Sequence, residues 1–186
     1  MGSLHSRHPP LRGVDLLSCQ AKWMISWTMP TLYGIWLLAG ALDFHFHRRT
    51  DIAHTSSLRE SVLHGVQLCL IGCGTLAWLL LAHTLSLAAG LGAVVVAHAI
   101  AGYLDTLSAD GVRRISPAEQ HIHSILDVAP WLFLAWVFRQ AAPEWALQLA
   151  PQPVHVWLWI LTPALLLTGA PWVYELLRCL HARRSL

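Results

Sequence analysis

A helix that crosses a bilayer needs about 20 consecutive, mostly apolar residues, and this requirement constrains the chain more than any other feature. Five apolar stretches reach or approach that length, at about 22–42, 62–84, 86–104, 120–140 and 154–177. In hydrocarbon every backbone N–H and C=O has to be satisfied within the segment, so stretches of this kind fold as helices. The composition agrees: 55% of the 186 residues are hydrophobic, 12% are charged, and ten are tryptophan. The expected fold is an all-α integral membrane protein of about five transmembrane helices in a single membrane domain. It has a polar segment over 1–20, a four-helix core over 22–140, and a fifth helix with a basic tail over 154–186.

The first 20 residues carry Arg7 and Arg12 and lack the apolar run of a signal peptide, so no cleaved leader is expected. With five crossings the termini lie on opposite sides. One side receives Arg48, Arg49, Arg59, Arg113, Arg114, Arg178, Arg183 and Arg184, and the other receives Arg7, Arg12, Lys22 and Arg139. The positive-inside rule then places the N-terminus outside and the C-terminus in the cytoplasm, in a membrane of the bacterial inner or plasma type. Trp23, Trp27, Trp78, Trp145, Trp157 and Trp159 cluster near the outer ends, as interfacial anchors do. Net charge is +2 with no aromatic-interleaved basic patch, so nucleic acid is not an expected partner. Cys69 and Cys73 read as small apolar packing residues within the second span.

Against this apolar background, four stretches each pair an acid with a histidine: Asp43/His47, Glu60/His64, His98/Asp105 and Glu119/His123. Three are spaced i,i+4 and one i,i+7, so each pair shares a helix face. Hydropathy puts all four at the same, cytoplasmic end. Ionisable groups at membrane depth are costly and mark functional sites. Two segments also repeat a pattern: an acid, an Arg-Arg pair, Ser-x-x-Glu, and a histidine four residues on. Asp43, Arg48-Arg49, Ser57–Glu60 and His64 match Asp105, Arg113-Arg114, Ser116–Glu119 and His123. An axis along the membrane normal would relate the two hairpins and bring the four faces to one centre.

Simpler roles exist for individual members. Ser57-x-x-Glu60 and Ser116-Pro117-x-Glu119 are capping boxes, and first-turn carboxylates favour the helix dipole. His98 alone reads as a hydrogen-bonded core histidine, and the arginines as ordinary positive-inside residues. Capping does not account for His64 and His123 one turn further in, nor for Asp127 beyond them. The joint occurrence therefore points to a metal site formed by Asp43, His47, Glu60, His64, His98, Asp105, Glu119 and His123. Asp127, His54 and His121 are candidates for supporting or proton-transfer roles. His121 cannot share a face with His123, which favours His123 as the ligand.

Carboxylates mixed with imidazole suit iron, manganese or zinc. Eight donors exceed the four that one tetrahedral zinc takes and fit two ions, with iron the expected metal. The arrangement resembles the di-iron carboxylate bundles, with Glu-x-x-x-His standing where that family has Glu-x-x-His. Asp43-Phe44-His45-Phe46-His47 and Glu119-Gln120-His121-Ile122-His123 resemble the histidine boxes of integral-membrane fatty-acid hydroxylases and desaturases. Those resemblances imply an oxidoreductase with two irons under the cytoplasmic face, acting on a lipid or other apolar substrate. An external electron donor would be required. The alternatives are a zinc-dependent membrane hydrolase, with Asp127 or Glu60 as general base, and a non-enzymatic haem or metal-binding membrane protein. Polar residues are sparse in the outer halves of the spans, which argues against transport.

Overall fold

The computed structural model describes residues 13–55 and 57–184. The expectations for the polar segment over 1–12, and for the side chains of Cys19, Lys22, Trp23 and Ser57, fall outside the described residues.

Every regular element among the described residues is helical. Helix α1 (Gly13–Arg49) is followed by a single 3₁₀ turn at Ile52–His54, then by α2 (Ser57–Leu80), α3 (Leu85–Ala109) and α4 (Pro117–Gln140). Helix α5 (Val154–Ala164) passes through a π-helical segment, Leu165–Gly169, into α6 (Ala170–Arg184). Four of these are long and apolar enough to cross a membrane: Leu58–Leu80, Leu85–Ala109, Pro117–Gln140 and the continuous Val154–Arg184. α1 is not among them. Its described part carries Thr28, Pro30, Thr31, Tyr33 and Asp43 among the apolar residues, and the helix continues through Pro30.

Burial is inverted relative to a protein folded in water. Asp43, His47, Glu60, His64, Asp105, Glu119 and Glu175 are buried, while Leu38, Val66, Val96, Ile100, Leu132, Leu158 and Leu166 face outward. None of the apolar window of Val154–Arg184 is buried within the chain. Outward apolar faces leave water only if lipid covers them, so by length and composition these four helices suggest a membrane protein.

The ends are set by local chemistry. Ser116 caps α4 in a complete capping box with Glu119, and Pro117 occupies the first turn, where its missing N–H costs nothing. Thr84 caps α3 by accepting from the Leu87 N–H, and its hydroxyl donates to the Ala146 carbonyl at 2.6 Å. The link over 141–153 folds back across the α2–α3 turn. Ala82 N–H donates to Gln148 O, Ala150 N–H to Leu80 O and Gln152 N–H to Leu79 O, which satisfies backbone groups that lipid could not.

Around the bundle, α1 lies beside α4, α4 beside α3, α3 beside α2, and α2 beside α6, while the π segment and α6 close the ring against α1. The last helix therefore belongs to the bundle wall. Expected as a fifth helix beside a four-helix core, it lines the bundle with one face while its apolar window faces outward. Two glycines make the fit possible. A Cβ on Gly65 of α2 would stand 2.5 Å from the Trp172 ring, and one on Gly40 of α1 would stand 2.8 Å from the Thr168 methyl carbon. Trp172 also donates its indole N–H to the Ser61 carbonyl at 2.9 Å, fixing α6 against α2 one turn from Glu175.

Candidate metal centre

Asp43 and His47 lie on one face of α1, Glu60 and His64 on α2, Asp105 on α3, and Glu119 and His123 on α4. Ring closure turns these faces inward. The two hairpins then exchange partners. His123 Nε2 of the second lies 2.8 Å from Asp43 Oδ1 of the first, and His64 Nε2 of the first lies 2.9 Å from Asp105 Oδ2 of the second. Matching positions of the sequence repeat thus make matching, reciprocal bonds.

Glu60 and Glu119, the repeated glutamates, meet at one residue. The Arg113 guanidinium bonds Glu60 through Nη2 at 2.6 Å and Nε at 3.2 Å, and its Nη1 lies 2.6 Å from Glu119 Oε1. Burial opposes the charge on Arg113, but the Glu60 and Glu119 carboxylates outweigh it and hold the guanidinium above its ordinary pKa. Glu119 divides its two oxygens. Oε2 accepts from the Ser116 N–H at 3.4 Å as a helix cap, while Oε1 faces Arg113 and His47. Capping and site roles therefore coexist in this residue.

The fifth wall supplies Glu175. Its Oε2 is 2.9 Å from His47 Nδ1 and its Oε1 is 3.3 Å from His64 Nδ1. The two rings stack with centroids 4.6 Å apart and planes 12° apart, and Phe44 meets both edge-on. With Nδ1 held by Glu175, His47 presents Nε2 to the centre. That nitrogen is buried and has no hydrogen-bond partner among the described residues. Asp43 Oδ1, Glu60 Oε1 and Glu119 Oε1 surround it at 3.5, 3.7 and 4.0 Å. Donors bound to one ion at about 2.0–2.2 Å in a tetrahedron lie about 3.3–3.6 Å from each other, so this spacing is close to that of a ligand set. A carboxylate behind a histidine whose other nitrogen faces the metal is the usual supporting arrangement.

Two groups of donors fall within 4.8 Å of one another: Asp43, His47, Glu119 and His123, and His47, Glu60 and His64. Asp105 adjoins the second through His64. Five buried carboxylates (Asp43, Glu60, Asp105, Glu119 and Glu175) face one guanidinium and three imidazoles. Protons on all three imidazoles would still leave one negative charge uncompensated, whereas two divalent ions with neutral imidazoles leave none. Uncompensated buried charge costs several kcal/mol, roughly, per group, and either a bound cation or a proton on one carboxylate relieves it.

Of the eight residues expected as ligands, the structure gathers Asp43, His47, Glu60, His64, Asp105, Glu119 and His123. His98 does not join them. It is buried on the same face of α3 as Asp105, but seven residues further along, or about 10 Å of helix rise. Asp127 also stands off the cluster, on the wall of an adjoining cavity. His54 is exposed and bonds Asp51 at 2.9 Å, and His121 is exposed on the opposite face of α4 from the site. Cys69 and Cys73, expected as packing residues, are exposed. Arg113 was read as a positive-inside residue in preference to one that neutralises the acids, and Glu175 was not expected at the site. Glu175, the only acid in the last span, could have been found by the cost of placing it there.

That cavity, about 320 Å³, opens directly from the cluster. Asp43, His64, Asp105 and His123 line one end, and Trp36, Leu37, Leu68, Ile71, Leu161 and Leu165 line the rest. No protein-family model, curated protein or solved structure matches the chain. The resemblances to di-iron proteins therefore stand on the residues alone.

Proposed function

We propose that this protein is a membrane-embedded dinuclear metalloenzyme, an oxidoreductase of the di-iron type that acts on a lipid or other apolar molecule. The observation that carries the proposal is His47 Nε2, buried, without a hydrogen-bond partner among the described residues and ringed by three carboxylate oxygens, in a cluster whose Asp43, His64, Asp105 and His123 line an apolar cavity. Asp43, His47, Glu119 and His123 would hold one ion, and Glu60, His64 and Asp105 the other. Arg113 keeps Glu60 and Glu119 side by side. The mixed oxygen and nitrogen donors suit iron, with manganese and zinc as competitors. When bound, iron would supply oxygen activation, with electrons from an external donor.

The chain's own contribution is to orient His47 through Glu175, to exclude water with the Phe44 edge and the outer helix faces, and to present an apolar substrate along the cavity. The hydrolytic alternative fits less well. Glu60, one of its two candidate bases, is gripped by Arg113, and a general base needs a free lone pair towards the attacking water. In this reading α1 is a fifth crossing, the N-terminus is outside and the C-terminus is cytoplasmic. Oxygen uptake by iron(II)-loaded protein in lipid nanodiscs, with a chemical reductant, tests the proposal. Uptake that is lost in His47→Ala and absent from the zinc-loaded form is expected. Absence of uptake by the iron-loaded wild type, or ester cleavage by the zinc-loaded form, would overturn it.

A further inference from the structure

The cavity holds a second polar group that the metal cluster does not use. Gln67 of α2, His98 of α3 and Asp127 of α4 all line it, and none of them hydrogen-bonds to another described residue. His98 is buried, only 5% exposed, and is surrounded by an otherwise apolar stretch of α3. Gly102, one turn from His98, makes room for the other two. A Cβ there would lie 3.1 Å from Asp127 Oδ1 and 3.6 Å from the Gln67 side-chain oxygen. The three side chains therefore converge on one stretch of wall. On α4 that stretch is one turn, about 6 Å, beyond His123.

Asp127 is exposed on the cavity wall, where an apolar surrounding makes a carboxylate expensive, and the buried His98 imidazole without a partner is also unfavourable. Both costs are met if the site has a ligand. We propose that Gln67, His98 and Asp127 are a recognition subsite for a neutral hydroxyl group carried on an apolar chain. This assignment names the substrate class of the metalloenzyme proposed above and rests on that reading. A hydroxyl both donates and accepts, so it satisfies Asp127 by donation and accepts from the His98 ring or the Gln67 amide. A carboxylate or phosphate head is repelled by Asp127. A ketone offers only acceptors and leaves Asp127 unmatched. The cavity volume lies at the lower end of the small-molecule range of about 300–1,000 Å³, which suits a single chain lying along Trp36, Leu68 and Ile71. A hydroxyl held here sets the adjoining carbons towards Asp43 and His123.

The test uses the full chain in lipid nanodiscs with a photoactivatable diazirine derivative of dodecanol, its attachment sites mapped by mass spectrometry. Labelling of cavity-lining peptides is expected, and dodecanol should displace the probe about tenfold better than dodecane, dodecanoic acid or dodecylamine. Asp127→Leu and His98→Leu should abolish that preference while metal content stays at the wild-type level. Asp127→Asn keeps the shape and one acceptor and should retain part of it, and Gly102→Ala should weaken it by crowding Asp127. Equal competition by dodecane, stronger competition by dodecylamine, or an undiminished preference in both Asp127 variants would overturn the subsite. So would a His98→Leu protein that loses metal, which would make His98 a ligand. A hydroxyl preference in wild-type protein that binds no metal would uphold the subsite and overturn the metalloenzyme.

Discussion

Replacing Glu175 by glutamine removes one negative charge from the last helix and leaves its shape nearly unchanged. In the wild type the carboxylate spans His47 Nδ1 at 2.9 Å and His64 Nδ1 at 3.3 Å. Hydrogen bonds to a charged partner are worth roughly 1.5–3 kcal/mol each, about twice a neutral one. Glutamine can still accept one such bond, but it turns a donor amide towards the second ring. His47 then loses the group that fixes its tautomer and aims Nε2 at Asp43, Glu60 and Glu119. Loss of a supporting partner of this kind typically costs about 10–100-fold in metal affinity, or about 1.4–2.8 kcal/mol. The folded metal-free protein should be little affected, because removal of one of five clustered carboxylates also relieves repulsion. Competition for zinc against a chromophoric chelator, with thermal melting of the metal-free form alongside, measures both quantities. Unchanged zinc affinity in Glu175→Gln would refute the claim that the fifth helix orients the site.

Arg113→Leu leaves Glu60 and Glu119 buried beside each other with no fixed cation, which should cost about 3–5 kcal/mol in the metal-free protein. Denaturation with and without saturating zinc should show the loss shrinking on metal binding, and an equal loss in both forms would count against a cation site between them. Gly65→Leu places a side chain where even a Cβ would be 2.5 Å from Trp172. Overpacking of that kind costs about 1–3 kcal/mol, and because it pushes α6 outward, melting temperature and zinc affinity should fall together.

Much of this architecture is legible in the sequence because the relevant physics is local. Apolar length locates α2, α3, α4 and the Val154–Arg184 helix, and Ser116-Pro117-x-Glu119 marks the start of α4. The i,i+4 spacing places Asp43 with His47 and Glu119 with His123 on inward faces. His98 shows where such reasoning ends. Its spacing to Asp105 gives the correct face of α3, but periodicity fixes the angle around a helix and carries no information on depth, so His98 lies two turns from the cluster. Arg113 sits in a loop, where no periodicity applies. Glu175 reaches the centre because Gly40 and Gly65 admit the π segment and α6, a matter of shape between elements far apart in sequence.

Quantification of metal in protein purified from cells grown with iron, manganese and zinc tests the central claim most directly. About two ions per chain are expected in the wild type, falling to about one in His47→Ala, since His47 Nε2 would hold one of the two. A monodisperse wild-type protein that binds no metal under these conditions, or a His47→Ala variant that keeps its full complement, would contradict the account.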